Sequence, residues 1–263
     1  MTIGKILTFA RKTGIQFLDT AVSYRTCEQK LGSMNMNGWS LVTKIPKVPP
    51  HTEGSKWVFQ HVFSSIRKLN QPKLYGVLLH SVEDLRRRDA PKMVDCLRAL
   101  KKQGLMEKVG VSIYCPSDLE FVLDVFLADI VQAPMNLFDR RLEVSGWLEK
   151  LHRKKIEIHA RSVFLQGLLL MPLEKIPKHF HPYFPLFEAF WNACKREKVA
   201  PLAACLNYPL SKSEVTKVLV GVETLPQIKQ IVQNAQKPNQ SQDWHWLGSS
   251  DERLINPVLW KTR

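Results

Sequence analysis

The stretch IQFLDTAVSYRTCEQKLG, residues 15–32, decides how this chain reads. Ile15 to Leu18 is an apolar run of strand length that passes directly into Asp19-Thr20-Ala21, and a helical stretch from Tyr24 to Leu31 stops at Gly32. The same order of strand, polar strand end and helix recurs downstream. The next strand, Leu41 to Ile45, carries Lys44 near its end. A proline-rich loop and a helix with Val58, Val62, Ile66 and Leu69 on one stripe follow, and then the strand Leu74 to Leu79, ending at His80. An acid, a phenol, an amine and an imidazole thus stand at or just beyond successive strand ends, where parallel α/β barrels collect their chemistry.

Outward from this stretch the alternation holds. Upstream, Ile3, Ile6, Leu7 and Ala10 mark an amphipathic helix ended by Gly14. Downstream, Met93, Cys96, Leu97 and Leu100 mark a helix and Lys108 to Tyr114 a strand. Ser117 and Glu120 form an S-x-x-E capping box for a helix over Leu119 to Phe126, with Ile130 to Ala133 as the next strand. A helix on Val144, Trp147, Leu148 and Leu151, a strand Ile156 to Val163, a helix Phe187 to Arg196 and a last strand Val218 to Val222 follow. Thr224 and Gln227 then cap a helix carrying Ile228, Ile231 and Val232. Seven strands, apolar over most of their length, imply a parallel sheet covered on both faces. No G-x-G-x-x-G follows any strand, which disfavours the doubly wound dinucleotide fold. The expected class is α/β, a (β/α)8 TIM-type barrel. Because the chain starts on a helix, the barrel is expected to be N-terminally incomplete, one strand short, with an open sheet edge. One domain over 1–263 is expected, with 236–263 as a polar, irregular tail.

With 263 residues, 44% hydrophobic and 24% charged, the chain suits one large domain. No run of about eighteen apolar residues occurs and the start does not resemble a signal peptide, so a soluble, cytoplasmic chain without membrane partners is expected. Five widely spaced cysteines, with no C-x-x-C pair, read as reduced thiols, and no metal is expected. The net charge of +14 comes from scattered residues and short runs such as Arg86-Arg87-Arg88, without interleaved aromatics. Solvated helix faces account for it, and no nucleic-acid partner is expected. Oligomeric state is not legible in these residues.

The segments FLDTAVSYRTCEQKLG, LVTKIP and GVLLHS resemble the aldo-keto reductases, whose pattern is Asp-Thr-Ala, a Tyr five residues after the Asp, a strand-end Lys and a strand-end His. VGVSIY, IVQAPMNLFDRR, HARSVFLQGLLL and VLVGVETLPQ agree in family order, nearly the whole chain. Singly, Asp19 could be a helix cap, Tyr24 a packing residue, Lys44 a solvated charge and His80 a core histidine. Their joint order is what argues for a site. The resemblance implies Tyr24 as general acid in carbonyl reduction. A free phenol has a pKa of about 10, so a nearby cation must favour its ionised form, and Lys44 would be that cation. Asp19 would hold Lys44, and His80 would orient the substrate carbonyl by a hydrogen bond.

The resemblance also implies a nicotinamide cofactor, NADPH, bound without a Rossmann fold. Ser112 and Gln132 match residues that hold the carboxamide. Arg161 and Ser162 match those that stack on the ring and meet the phosphates, with Gly167 allowing close backbone approach. Gly221, Thr224 and Gln227 match the adenosine end, at a helix start whose unpaired amides favour an anion. The chain departs from the pattern at Ile113, where the family has Asn, and at Glu223, whose carboxylate disfavours a 2'-phosphate, so NAD is a second candidate. The implied substrate is a small carbonyl compound, an aldehyde, a ketone or a sugar. The alternative is a catalytically weak barrel that binds nicotinamide cofactor in a regulatory or redox-sensing role.

Overall fold

The computed structural model describes residues 2–236 and 244–260. Among them, seven parallel strands form one sheet in chain order: β1 (Phe17–Asp19), β2 (Ser40–Ile45), β3 (Leu74–Leu79), β4 (Met106–Ser112), β5 (Ile130–Pro134), β6 (Glu157–Arg161) and β7 (Lys217–Val218). The helices are α1 (Thr2–Lys12), α2 (Cys27–Gly32), α3 (Gly54–Leu69), α4 (Ala90–Lys102), α5 (Leu119–Val125), α6 (Arg141–Val144), α7 (Trp147–Arg153), α8 (Phe184–Arg196), α9 (Pro201–Leu210), α10 (Leu225–Ala235) and α11 (Glu252–Ile255). The architecture is α/β of the (β/α)8 type. The described residues divide into two compact units, one over 10–132 and 154–157, the other over 2–9, 133–153, 158–236 and 244–260.

In the first unit, strand alternation sorts side chains between two faces. Val42, Leu78 and Ile130 form a fully buried cluster, against which Phe17 and Tyr75 pack. Gly110 belongs to the same layer because its neighbours allow nothing larger: a Cβ there would lie 2.1 Å from the Ile130 carbonyl oxygen. At the amino-terminal end of these strands, Tyr75 donates to Glu157 at 2.7 Å, and Lys108 pairs with the same carboxylate. Lys44, His80, Ser112 and Gln132 stand two residues beyond Val42, Leu78, Gly110 and Ile130, and Asp19 two beyond Phe17, so all five share the face of that layer. The register staggers these ends along the sheet: Asp19 pairs with Val42 and Lys44 with Leu78, each two residues short of the next site residue, while Ser112 and Gln132 pair directly. Helix α3 covers the sheet with Val58, Val62 and Leu69, and closes on Asn70 in the left-handed conformation, φ 50°.

In the second unit, Thr216 and Leu219 donate to the Ile158 and Ala160 carbonyls and hold β7 to β6. Phe138, Phe187 and Phe190 are fully buried against one another, and Trp244 packs on Phe190. Glu143 accepts from Tyr208 at 2.8 Å and from Arg140 and Lys212. Burial pushes its carboxyl up, but these donors together hold it below the usual range.

Several boundaries differ from the sequence expectations. The helix after β1 starts at Cys27 rather than Tyr24, because Arg25 takes φ 50° and turns the chain. Ser117 donates to the Cys115 sulfur instead of forming a capping box, and a 3-10 turn over Pro116–Asp118 precedes α5. The last strand is two residues long, not five. Helix α9 was not expected: Ala203 to Pro209 are buried throughout, so no polar face marks its period. The tail, expected to be irregular, makes short helical turns at His245–Leu247, Glu252–Ile255 and Pro257–Leu259, with Leu247, Leu254 and Ile255 fully buried; 237–243 and 261–263 lie outside the described residues.

Candidate active site

The first unit brings together all four residues of the expected constellation. Thr20 donates to the Val42 carbonyl and Val22 to that of Lys44, so the chain leaving β1 runs on along β2 and carries Ser23 and Tyr24 over its end. The His80 amide donates to Ile45, fixing the turn at the end of β3. Lys44, only 1% exposed, donates from Nζ to Asp19 Oδ2 at 2.5 Å and to the Thr20 carbonyl at 3.0 Å. The same ammonium lies 5.5 Å from the centre of the Tyr24 ring. Tyr24 and His80 meet edge to face with ring centres 6.4 Å apart, and Ser23 Oγ lies 3.4 Å from His80 Nδ1. Tyr24 is 47% exposed, so its phenol stands at the surface above a buried cation.

Gln132 adds a link that sequence reasoning did not anticipate. Its Nε2 donates to Asp19 Oδ1 at 2.8 Å, so each carboxylate oxygen of Asp19 has its own donor. A carboxylate only accepts, which fixes the orientation of the Gln132 amide and leaves Oε1 as its acceptor. That oxygen is fully buried and meets no donor among the described residues. Ser112 is buried beside it in register. Ile113, at the position where the sequence departs from the expected Asn, is a fully buried core residue.

The second unit carries the remaining expected residues. Arg161 ends β6 and donates to Ser162 Oγ at 3.1 Å, while Asn136 holds the Ser162 carbonyl at 3.1 Å. The loop that follows is unusual in its backbone: Ser162, Leu165, Gln166 and Gly167 all have positive φ. Such conformations cluster where a loop is over-determined by its surroundings. At the start of α10, Thr224 and Gln227 form the expected capping box. The amides there are less open than the sequence suggested: those of Glu223 and Thr224 donate to Gln227 Oε1, and that of Gln227 to Thr224 Oγ1. Gly221 is exposed, with open space where a Cβ would stand.

Among the described residues, no helix is long and apolar enough to cross a membrane. Known proteins resemble this chain in both sequence and fold. The model of the aldo/keto reductase family matches residues 3–251. An uncharacterized oxidoreductase of Schizosaccharomyces pombe is 31% identical over 144 residues, a match spanning 50% of this chain and 50% of that protein. The fold is similar to that of the aldo-keto reductase AKR11C1 from Bacillus halodurans in its holo form, with TM-score 0.77 and 18% identity over 98% of this chain and 88% of that one. It is also similar to the glycerol dehydrogenase AKR11B4 from Gluconobacter oxydans, with TM-score 0.70 and 19% identity over 88% and 79% of the two chains. At such identities the two structures speak for the fold.

Proposed function

This chain belongs to the aldo/keto reductase family, and we propose on that basis that it reduces a small aldehyde or ketone to an alcohol, with Tyr24 as the proton donor. The observation that carries the proposal is the Asp19–Lys44 pair beneath the exposed phenol of Tyr24. Lys44 is too deeply buried to serve as a solubilising charge. Held by Asp19 and the Thr20 carbonyl, its ammonium places a fixed positive charge against the ring of Tyr24. That charge favours the phenolate, and so eases release of the phenolic proton to a developing alkoxide. His80, edge-on to Tyr24, is placed to donate to the same substrate oxygen and set its approach.

The cofactor in this reading is NADPH or NADH, which when bound supplies the hydride. The buried, unpartnered Oε1 of Gln132 fits a carboxamide N–H donor, and Ser112 lies beside it. Arg161 and Ser162 would stack on the ring and meet the phosphates, with Gly167 allowing close backbone approach, and Gly221, Thr224 and Gln227 would meet the adenosine end. On this reading Glu223 would bring a carboxylate to the adenosine end, which supports testing NADH beside NADPH. Steady-state loss of nicotinamide absorbance over a panel of aldehydes, ketones and sugars tests the reading. Turnover that falls by about 10²–10⁴ in Tyr24→Phe supports it. Cofactor binding without turnover on any carbonyl would instead make the chain a nicotinamide-binding protein.

A further inference from the structure

We propose that Glu28 is a positioning residue which, through its hydrogen bond to Thr43, sets the approach of Tyr24 to Lys44. The inference rests on the reading of Tyr24 as proton donor. Glu28 lies in the first turn of α2, a place where an acidic side chain normally faces water, yet it is only 2% exposed. Its Oε1 accepts from the hydroxyl of Thr43 at 2.7 Å, and Thr43 is fully buried.

The placement of the two partners gives this bond its effect. On β2, Val42 and Lys44 face the core cluster and the site, so Thr43 between them must face the helix layer. Thr43 is therefore bonded covalently to the residue that carries the cation. Glu28 is four residues beyond Tyr24, and the intervening turn is closed by the Cys27 amide donating to the Tyr24 carbonyl at 3.0 Å. The Glu28–Thr43 bond thus ties the backbone of the phenol to the backbone of the ammonium by a short route. The far end of α2 is pinned independently: Gly32 packs so closely on α3 that a Cβ would lie 1.9 Å from the Lys68 carbonyl oxygen. With α2 held against α3 at Gly32 and against β2 at Glu28, the turn bearing Tyr24 has little freedom to lift away from Lys44.

Three substitutions in the full chain test this: Glu28→Ala, Thr43→Val, which keeps the side-chain volume, and Glu28→Gln, whose amide oxygen still accepts from Thr43. Two quantities are read. The first is carbonyl turnover, where kcat should fall by about ten- to a hundredfold in Glu28→Ala and Thr43→Val while KM for cofactor stays within about twofold. The second needs no turnover: the tyrosinate absorbance step that Tyr24→Phe removes should move to higher pH in both variants, as the phenol loses its cation. Glu28→Gln should restore both. A titration step that stays in place in Glu28→Ala and Thr43→Val, or that Glu28→Gln fails to restore, overturns the positioning role. If Tyr24→Phe turns over normally, the reading of Tyr24 fails instead, while the titration still decides whether the Glu28–Thr43 bond holds the ring at Lys44.

Discussion

Replacing Asp19 by alanine should cost the fold more than replacing Lys44 by methionine, although both changes break the same ion pair. In Asp19→Ala an ammonium that is 1% exposed keeps the Thr20 carbonyl at 3.0 Å and the Tyr24 ring face but loses its counter-charge. Removing one partner of a buried pair in this way costs about 3–5 kcal/mol. In Lys44→Met the stem length is kept, and the remaining carboxylate is 18% exposed with Gln132 still donating at 2.8 Å. The loss is then nearer that of one hydrogen bond to a charged group, about 1.5–3 kcal/mol. The difference, about 2 kcal/mol, is measurable as a shift in urea midpoint at unchanged slope. The double variant should be more stable than Asp19→Ala alone, because it removes the uncompensated charge. Equal midpoints for the two single variants, or a double variant less stable than Asp19→Ala, would refute the reasoning.

Three further outcomes are expected. Gly110→Ala forces a methyl group to 2.1 Å from the Ile130 carbonyl oxygen, between two strands that cannot part cheaply; a loss of about 1–3 kcal/mol or more should appear as a lower melting temperature. Thr224→Ala removes the acceptor for the Gln227 amide at the start of α10, which should cost about 1 kcal/mol in urea unfolding. Asp89 is held below the ordinary carboxylate range by the Arg87 guanidinium and the Gly54 amide. Its folded pKa is depressed, so its contribution is present above the unfolded value of about 4 and fades as pH falls through the folded one. Asp89→Asn should therefore destabilise at neutral pH and flatten the acid limb of the stability profile followed by circular dichroism.

The alternation of strand and helix was legible because each buried strand is an apolar run and each covering helix repeats near 3.6 residues, as Val58, Val62 and Leu69 of α3 show. The same pattern placed Asp19, Lys44 and His80 at strand ends, and the parity of the strands set them on the face of Val42 and Leu78. Features set by tertiary contact were not legible. Helix α9 is buried on nearly every side and so shows no period, while Ser117 lost its capping role to a neighbouring sulfur. Nothing in the sequence distinguishes Glu28 from the exposed Arg25, Gln29 and Lys30 around it, because its partner Thr43 lies 15 residues away on another element. The Gln132–Asp19 bond spans 113 residues and depends on strand register alone.

The most direct test of the central claim is isotope transfer. Cofactor deuterated at the transferring position of the nicotinamide ring is incubated with the chain and a carbonyl substrate that it turns over, and the product alcohol is examined by mass spectrometry. Hydride transfer predicts one deuterium on the carbinol carbon, formed by the wild-type chain and almost absent with Tyr24→Phe. Product alcohol without deuterium, or equal labelled product from Tyr24→Phe, would contradict the account.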